Sequence, residues 1–254
     1  MVEIKNLWGG YPGKQVLQHV NFSIPSEKIT VILGPNGCGK STLLKTLCGI
    51  LPAEHGQVLC DGEDLLGLPP KVLAQRVAYL AQGRQVPDIT AYDLVLHGRF
   101  PHLRYPRQYK KSDHSRVQAA MECLGVWEHR DTLLEKLSGG QRQKVYLAMA
   151  LAQDTPLILL DEPTTYLDIS HQLQLLHLAK DLAHQGKTVV MVIHHIPHAF
   201  QVADQLVLMN QGNIITQGTP EQLFASGAIS DIFHVDFRRI QTEAGWRYYC
   251  EDPK

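Results

Sequence analysis

Eight consecutive residues, Gly34-Pro35-Asn36-Gly37-Cys38-Gly39-Lys40-Ser41, fit the spacing G-x-x-x-x-G-K-[ST]. Each residue type has a chemical use at its place. Glycines let backbone N–H groups close around phosphate oxygens, and a helix starting here turns the positive end of its dipole toward the anion. Lys40 supplies a point charge between the β- and γ-phosphates, Ser41 offers a hydroxyl to Mg²⁺, and Thr42 continues the helix start. A second pair of residues lies far along the chain. Asp161 follows the apolar run 157–160, which puts a carboxylate at the C-terminal end of a buried strand, facing the crevice where open α/β sheets bind ligand. Its chemistry suits Mg²⁺, held directly or through water. Glu162 comes next, points differently, and can polarise an attacking water.

These groups need elements to position them, and the patterning supplies them. Strands are predicted over 2–7, 20–24, 29–33, 76–81, 157–160, 188–193, 207–209 and 213–217, and helices over 40–50, 141–152 and 170–184. Between residues 83 and 137 no convincing long strand occurs. Helices are expected there over 90–97 and 113–124, the second with Ser112 as N-cap. Residues 237–242 and 246–250 flank Glu243-Ala244-Gly245, and a hairpin is expected there. The alternation of strand and helix gives an α/β fold with a helical insertion.

Composition narrows the classes. Of 254 residues, 44% are hydrophobic and 19% charged, a balance that buries a core and excludes disorder as the main state. The 24 Lys and Arg against 25 Asp and Glu give a formal net charge of -1, which disfavours a whole-chain clamp on nucleic acid. The longest apolar run, Val145 to Ala152, is far short of the ~18 residues a membrane span needs. Met1 to Trp8 lacks the layout of a secretory signal. The 5 cysteines are scattered without a CxxC pair, as expected of a chain in reducing cytoplasm. Cys48 and Cys60 are expected as small core residues. Cys38, beside a helix N-terminus, is expected to carry a lowered thiol pKa and raised reactivity.

Leu137-Ser138-Gly139-Gly140-Gln141 adds a rarer motif shortly before Asp161. With the phosphate loop, Gln82, Asp161-Glu162 and His194 in this order, the chain resembles the nucleotide-binding subunit of an ABC transporter up to about Leu223. The fold this resemblance implies is a P-loop NTPase core of mixed and parallel sheet with flanking helices, an N-terminal antiparallel β part and an inserted α-helical subdomain. It implies one ABC ATP-binding domain over 1–254. Residues 1–82 and 138–225 would be the core, 83–137 the helical subdomain with the signature at its end, and 226–254 a C-terminal tail. It implies ATP and Mg²⁺ as ligands. It also implies a head-to-tail dimer of two copies sharing two ATP, each nucleotide lying between one phosphate loop and the other chain's Ser138, Gly139, Gly140 and Gln141.

Further roles come from the same resemblance. Gln82 would touch Mg²⁺ and the attacking water, Tyr11 would stack on adenine with Trp8 as a second candidate, and His194 would contact the γ-phosphate and Glu162. Asp168 would lie in the loop that crosses the dimer interface. At the residue after the switch histidine most members have Asp, where this chain has His195. His195 and His198 are read as surface residues rather than metal ligands. Pro163-Thr164-Thr165-Tyr166-Leu167-Asp168 and Gly98-Arg99-Phe100-Pro101-His102 look like importers of ferric siderophores, citrate-iron, haem and cobalamin. The partners implied are membrane permease subunits and, indirectly, a periplasmic or surface binding protein. The implied place is the cytoplasmic face of the inner membrane. The basic tract from Arg99 to Arg116 would belong to the permease-docking subdomain. The alternative is a soluble ABC ATPase acting on nucleic acid or translation.

Overall fold

The computed structural model describes residues 1–83, 86–165, 167–243 and 245–253. Tyr166 and Ala244, both part of the sequence patterns above, lie outside the described residues. The chain opens with β1 (Val2–Tyr11) and β2 (Lys14–Ile24), an antiparallel pair joined at Pro12-Gly13, where Gly13 supplies the positive φ of 75°. β3 (Ile29–Leu33) leads into α1 (Lys40–Leu47). β4 (Ala53–Cys60), the short β5 (Glu63–Asp64), α2 (Pro70–Arg76) and β6 (Val77–Leu80) follow. Then come α3 (Ala91–His97), α4 (Lys111–Cys123) and α5 (Gly139–Ala152). β7 (Leu157–Asp161), α6 (Ile169–His184), β8 (Thr188–Val192), α7 (Ile196–Val202), β9 (Gln205–Asn210) and β10 (Asn213–Gly218) complete the core. After β10 come α8 (Pro220–Ser226), α9 (Ala228–Phe233) and the hairpin β11 (Asp236–Thr242) and β12 (Gly245–Glu251).

Among the described residues the main sheet runs β10-β9-β3-β8-β7-β6, parallel except for the edge strand β10. Its central strands β3, β7 and β8 are buried at every position and mostly apolar, because both faces are covered. Ile29, Val31 and Leu33 of β3 pack with the helices of one face, whereas Ile32 packs with α1 and the β2-β1-β4-β5 sheet on the other. Ile158 and Leu160 of β7 alternate with Leu157 and Leu159 in the same way, and so do Val189 and Met191 with Val190 and Val192 of β8. Two cores therefore share one sheet.

Local chemistry sets the ends. α1 stops at Leu47, short of the expected residue 50. Gly49 turns left-handed at φ 72°, and the Gly49 and Ile50 N–H groups return to the Thr46 and Lys45 carbonyls. α4 starts at Lys111, so Ser112 is not its N-cap. The Asp113 carboxylate instead accepts the Lys110 N–H at 2.9 Å.

Candidate functional site

The phosphate loop joins β3 to α1, and its shape follows from close packing. Gly34 presses against β9, where a Cβ would lie 2.1 Å from the Met209 carbonyl oxygen. Gly39, at φ 109°, opens α1 without any side-chain cap, so the first N–H groups of the helix stay available to an anion. Lys40 is buried and its ammonium donates to the Gly34 and Pro35 carbonyls at 2.7 and 2.9 Å.

Asp161 ends β7 and is 1% exposed. Its two oxygens each take one donor, Ser41 Oγ at 3.0 Å and the Tyr79 hydroxyl at 3.1 Å. Burial pushes its carboxyl above the ordinary carboxylate range, against the opposing pull of those two hydroxyls. The next residue, Glu162, takes a left-handed φ of 50°, a strained choice for a side chain of this size. That turn swings Glu162 away from Asp161. His194 Nε2 lies 2.5 Å from Glu162 Oε1, and the Gln82 amide donates to Oε2. The carboxylate is thus held between the residue after β8 and a residue just past β6.

Lys40, Ser41, Gln82, Glu162 and His194 meet at one cleft of about 740 Å³, whereas Asp161 does not line it and is joined to it through Ser41. Asn36, Gly37, Gly39, Lys40, Ser41 and Thr42 form its floor, Gln82, Glu162 and His194 its far wall, and Tyr11 its rim. Tyr11 is 40% exposed, with Lys45 Nζ 3.3 Å from its hydroxyl. Trp8 does not line the cleft; its indole N–H is committed to Asn6 Oδ1 at 2.8 Å. Gly34, Pro35 and Cys38 belong to the loop but do not line the cleft. The sequence reading missed Lys14, Gln15 and Val16 on one flank and Gln211-Gly212 on another. Pro12-Gly13 and Gln211-Gly212 are turn signals at those flanks. Gly212 is required there, since a Cβ would lie 2.0 Å from the Val16 carbonyl oxygen.

The expected reactivity of Cys38 is corrected. The thiol is 5% exposed, and burial raises its pKa despite the nearby Lys40. Alkylation by iodoacetamide at pH 7.5 is expected to be far slower at Cys38 than at the exposed Cys123 and Cys250, as peptide mapping would show. Equal rates would contradict the buried placement.

The signature lies outside the cleft. Ser138 caps α5 in a reciprocal box, its Oγ accepting the Gln141 N–H at 3.2 Å while Gln141 Oε1 accepts the Ser138 N–H at 3.0 Å. Ser138 and Gly139 are exposed, and Gly140 and Gln141 are half-buried. Asp168 caps α6, and the His171 N–H, with Ser170 and the His171 ring, holds its carboxyl down at about 2. His195 caps α7, its Nδ1 accepting the His198 N–H at 3.2 Å. Among the described residues no group of three His, Cys, Asp or Glu could hold a metal ion. In the basic tract, Arg99 is buried against Asp113 at 2.9 Å and Arg116 pairs with Asp154, so neither is a free surface cation.

The donor set at Ser41 and Asp161, with Gln82 across the cleft, consists of hard oxygens and suits Mg²⁺ rather than a softer metal. A glycine loop opening an uncapped helix beside such a set is the arrangement of a P-loop nucleotide hydrolase. The profile described as ABC transporter matches residues 17–165. The chain is 40% identical over 229 residues to the iron(3+)-hydroxamate import ATP-binding protein FhuC of Bacillus subtilis (strain 168), covering 89% of this chain and 85% of that one. It is 41% identical over 226 residues to the ferric enterobactin transport ATP-binding protein FepC of Escherichia coli (strain K12), covering 88% and 83%. A solved chain assigned to a metal-chelate type ABC transporter, in an inward-facing conformation, superposes with a TM-score of 0.82 at 29% identity, covering 100% and 97%. This chain belongs to the ABC transporter family, as an ATP-binding subunit that hydrolyses ATP. Nothing in these comparisons supports action on nucleic acid or translation.

Proposed function

We propose that the chain is the energy-coupling subunit of an importer for iron-siderophore complexes or a related chelate such as haem or cobalamin. The observation that carries the mechanism is the split between the cleft, which holds Glu162 between His194 and Gln82, and the signature, which faces outward on α5. The names of the hydroxamate and enterobactin relatives support the cargo class.

In this reading the loop N–H groups from Asn36 to Thr42 and the Lys40 ammonium bind the triphosphate of ATP, and Tyr11 stacks on adenine, a contact worth roughly 1–3 kcal/mol. Ser41, Asp161 and Gln82 would hold Mg²⁺, which neutralises phosphate charge when bound. Glu162 takes a proton from the attacking water, with His194 orienting its carboxylate and reaching the γ-phosphate. Ser138 and the glycines after it, at the start of α5, cap the γ-phosphate held by the partner copy, so each site needs two chains. Asp168 lies at that interface. ATP binds the closed dimer better than the open one, and closure moves the permease through the helical segment 83–137, between the core segments 1–82 and 138–225. The tail is 226–254. A binding protein delivers the chelate. The chain sits at the cytoplasmic face of the inner membrane through its permease; among the described residues no helix is long and apolar enough to cross a membrane.

Hydrolysis should therefore rise more than linearly with protein concentration until dimers saturate. Strict proportionality from a chain shown to be monomeric would sink the shared-site reading. Recovery of the chain with detergent-solubilised membranes, lost on deleting the permease, tests its place.

A further inference from the structure

The tail beyond β10 packs onto the segment that carries His194. That histidine lies between the end of β8 and α7, and α7 is capped by the adjoining His195. One side of α7 rests on the main sheet through Ala199, which is fully buried. The next residue, Phe200, meets the C-terminal hairpin. The Phe200 ring centroid lies 4.8 Å from that of Phe237 on β11 and 4.7 Å from that of Tyr248 on β12. All three rings are less than a tenth exposed.

The hairpin is itself anchored. Phe237 and Tyr248 stack on each other at 5.7 Å and both meet Phe224 of α8. The Arg239 guanidinium lies 4.6 Å from the Phe224 ring and 4.1 Å from that of Trp246. The Phe237 N–H donates to Ser230 Oγ of α9 at 3.2 Å. A two-stranded hairpin is marginal by itself, so this one is held by its inner face, and α7 is held in turn.

We infer that the C-terminal hairpin positions His194: Phe237 and Tyr248, acting through Phe200 and α7, fix the histidine against Glu162. This rests on the proposed role of His194 in hydrolysis. Neither Phe237 nor Tyr248 lines the cleft, so they are positioning residues and touch no nucleotide. Removing the Tyr248 ring loosens α7 at its outer side and lets its N-terminal end shift. Small displacements of a catalytic group cost rate steeply, while the phosphate loop, on another strand, keeps its shape.

The test compares Tyr248→Ala, Tyr248→Phe, His194→Ala and the double variant His194→Ala/Tyr248→Ala. Steady-state hydrolysis, equilibrium binding of a fluorescent ATP analogue and thermal melts are recorded on the full-length chain. The expected result is a loss of about tenfold in kcat for Tyr248→Ala with nucleotide affinity unchanged, and recovery in Tyr248→Phe, which keeps the ring. In the His194→Ala background the Tyr248→Ala change should cost no further kcat, since both act through one group. If Tyr248→Ala does not fold, Tyr248→Leu, which keeps apolar bulk without the aromatic contacts, should give the same split. An unchanged kcat, a parallel loss of affinity, or fully additive losses in the double variant would overturn the inference. Wild-type kcat in His194→Ala would instead overturn the underlying reading of the histidine.

Discussion

Replacing Glu162 with Gln is expected to lower kcat by roughly 10²–10⁴-fold, the usual share of a positioned general base. The amide is isosteric and keeps one acceptor oxygen where the carboxylate offers one each to His194 and Gln82, but it cannot take a proton from water. Nucleotide affinity should be unchanged, because in the proposed reading the phosphates are bound by the loop and Lys40, which line the same cleft, and not by Glu162. Single-turnover hydrolysis and equilibrium binding, measured on the same preparation, separate the two effects. Near-wild-type turnover in this variant would mean that another group activates the water. A large loss of affinity would mean that Glu162 holds the loop in place instead.

The second large effect is expected at Gly34. An alanine methyl there would lie 2.1 Å from the Met209 carbonyl oxygen and 2.7 Å from Cys38 Sγ. Neither neighbour can yield freely, since the first is backbone of β9 and the second is buried in the core. Gly34→Ala should therefore push the loop off the sheet, abolish nucleotide binding and cost about 1–3 kcal/mol of stability by overpacking. Gly37 offers the contrast. It also has a positive φ, 77°, but a Cβ there meets nothing within 4 Å. Gly37→Ala should carry only the smaller cost of a left-handed backbone, roughly 1–2 kcal/mol. Denaturant melts and nucleotide binding of the two variants check the order. Equal and small effects at both positions would contradict the close packing of the loop on β9.

The parts of the molecule that were legible in the sequence are those where one physical constraint dominates. The central strands β3, β7 and β8 are mostly apolar because both faces are buried, and the run of residues read directly as strand. The phosphate loop was legible because its glycines and Lys40 serve one chemistry at fixed spacing. Gln82, His194 and the signature were legible only through the family pattern, since a lone glutamine or histidine carries no period. β4 went unread. Its residues Ala53–Cys60 include four consecutive exposed positions, and Gly56, at φ 96°, marks an irregular pairing with β1. α7 went unread as well, since His195 is an uncommon cap and seven residues hold too little periodicity. The capping box Thr219 to Gln222 and Pro220 at the first position of α8 were readable signals that stood unused.

Cys38 shows why proximity in sequence is a poor guide to thiol chemistry. A helix N-terminus and Lys40 both favour the thiolate, yet the side chain turns toward the core at 5% exposure and desolvation prevails. The same competition acts at Asp161, where burial favours the protonated form and two hydroxyl donors oppose it.

The most direct test of the central claim is uptake. Deletion of the gene, with labelled ferric siderophores, citrate-iron, haem and cobalamin supplied in parallel, should abolish uptake of one chelate class. Wild type should restore it and Glu162→Gln should not. Restoration by both, or no defect for any chelate, would contradict ATP-driven chelate import as the work of this chain.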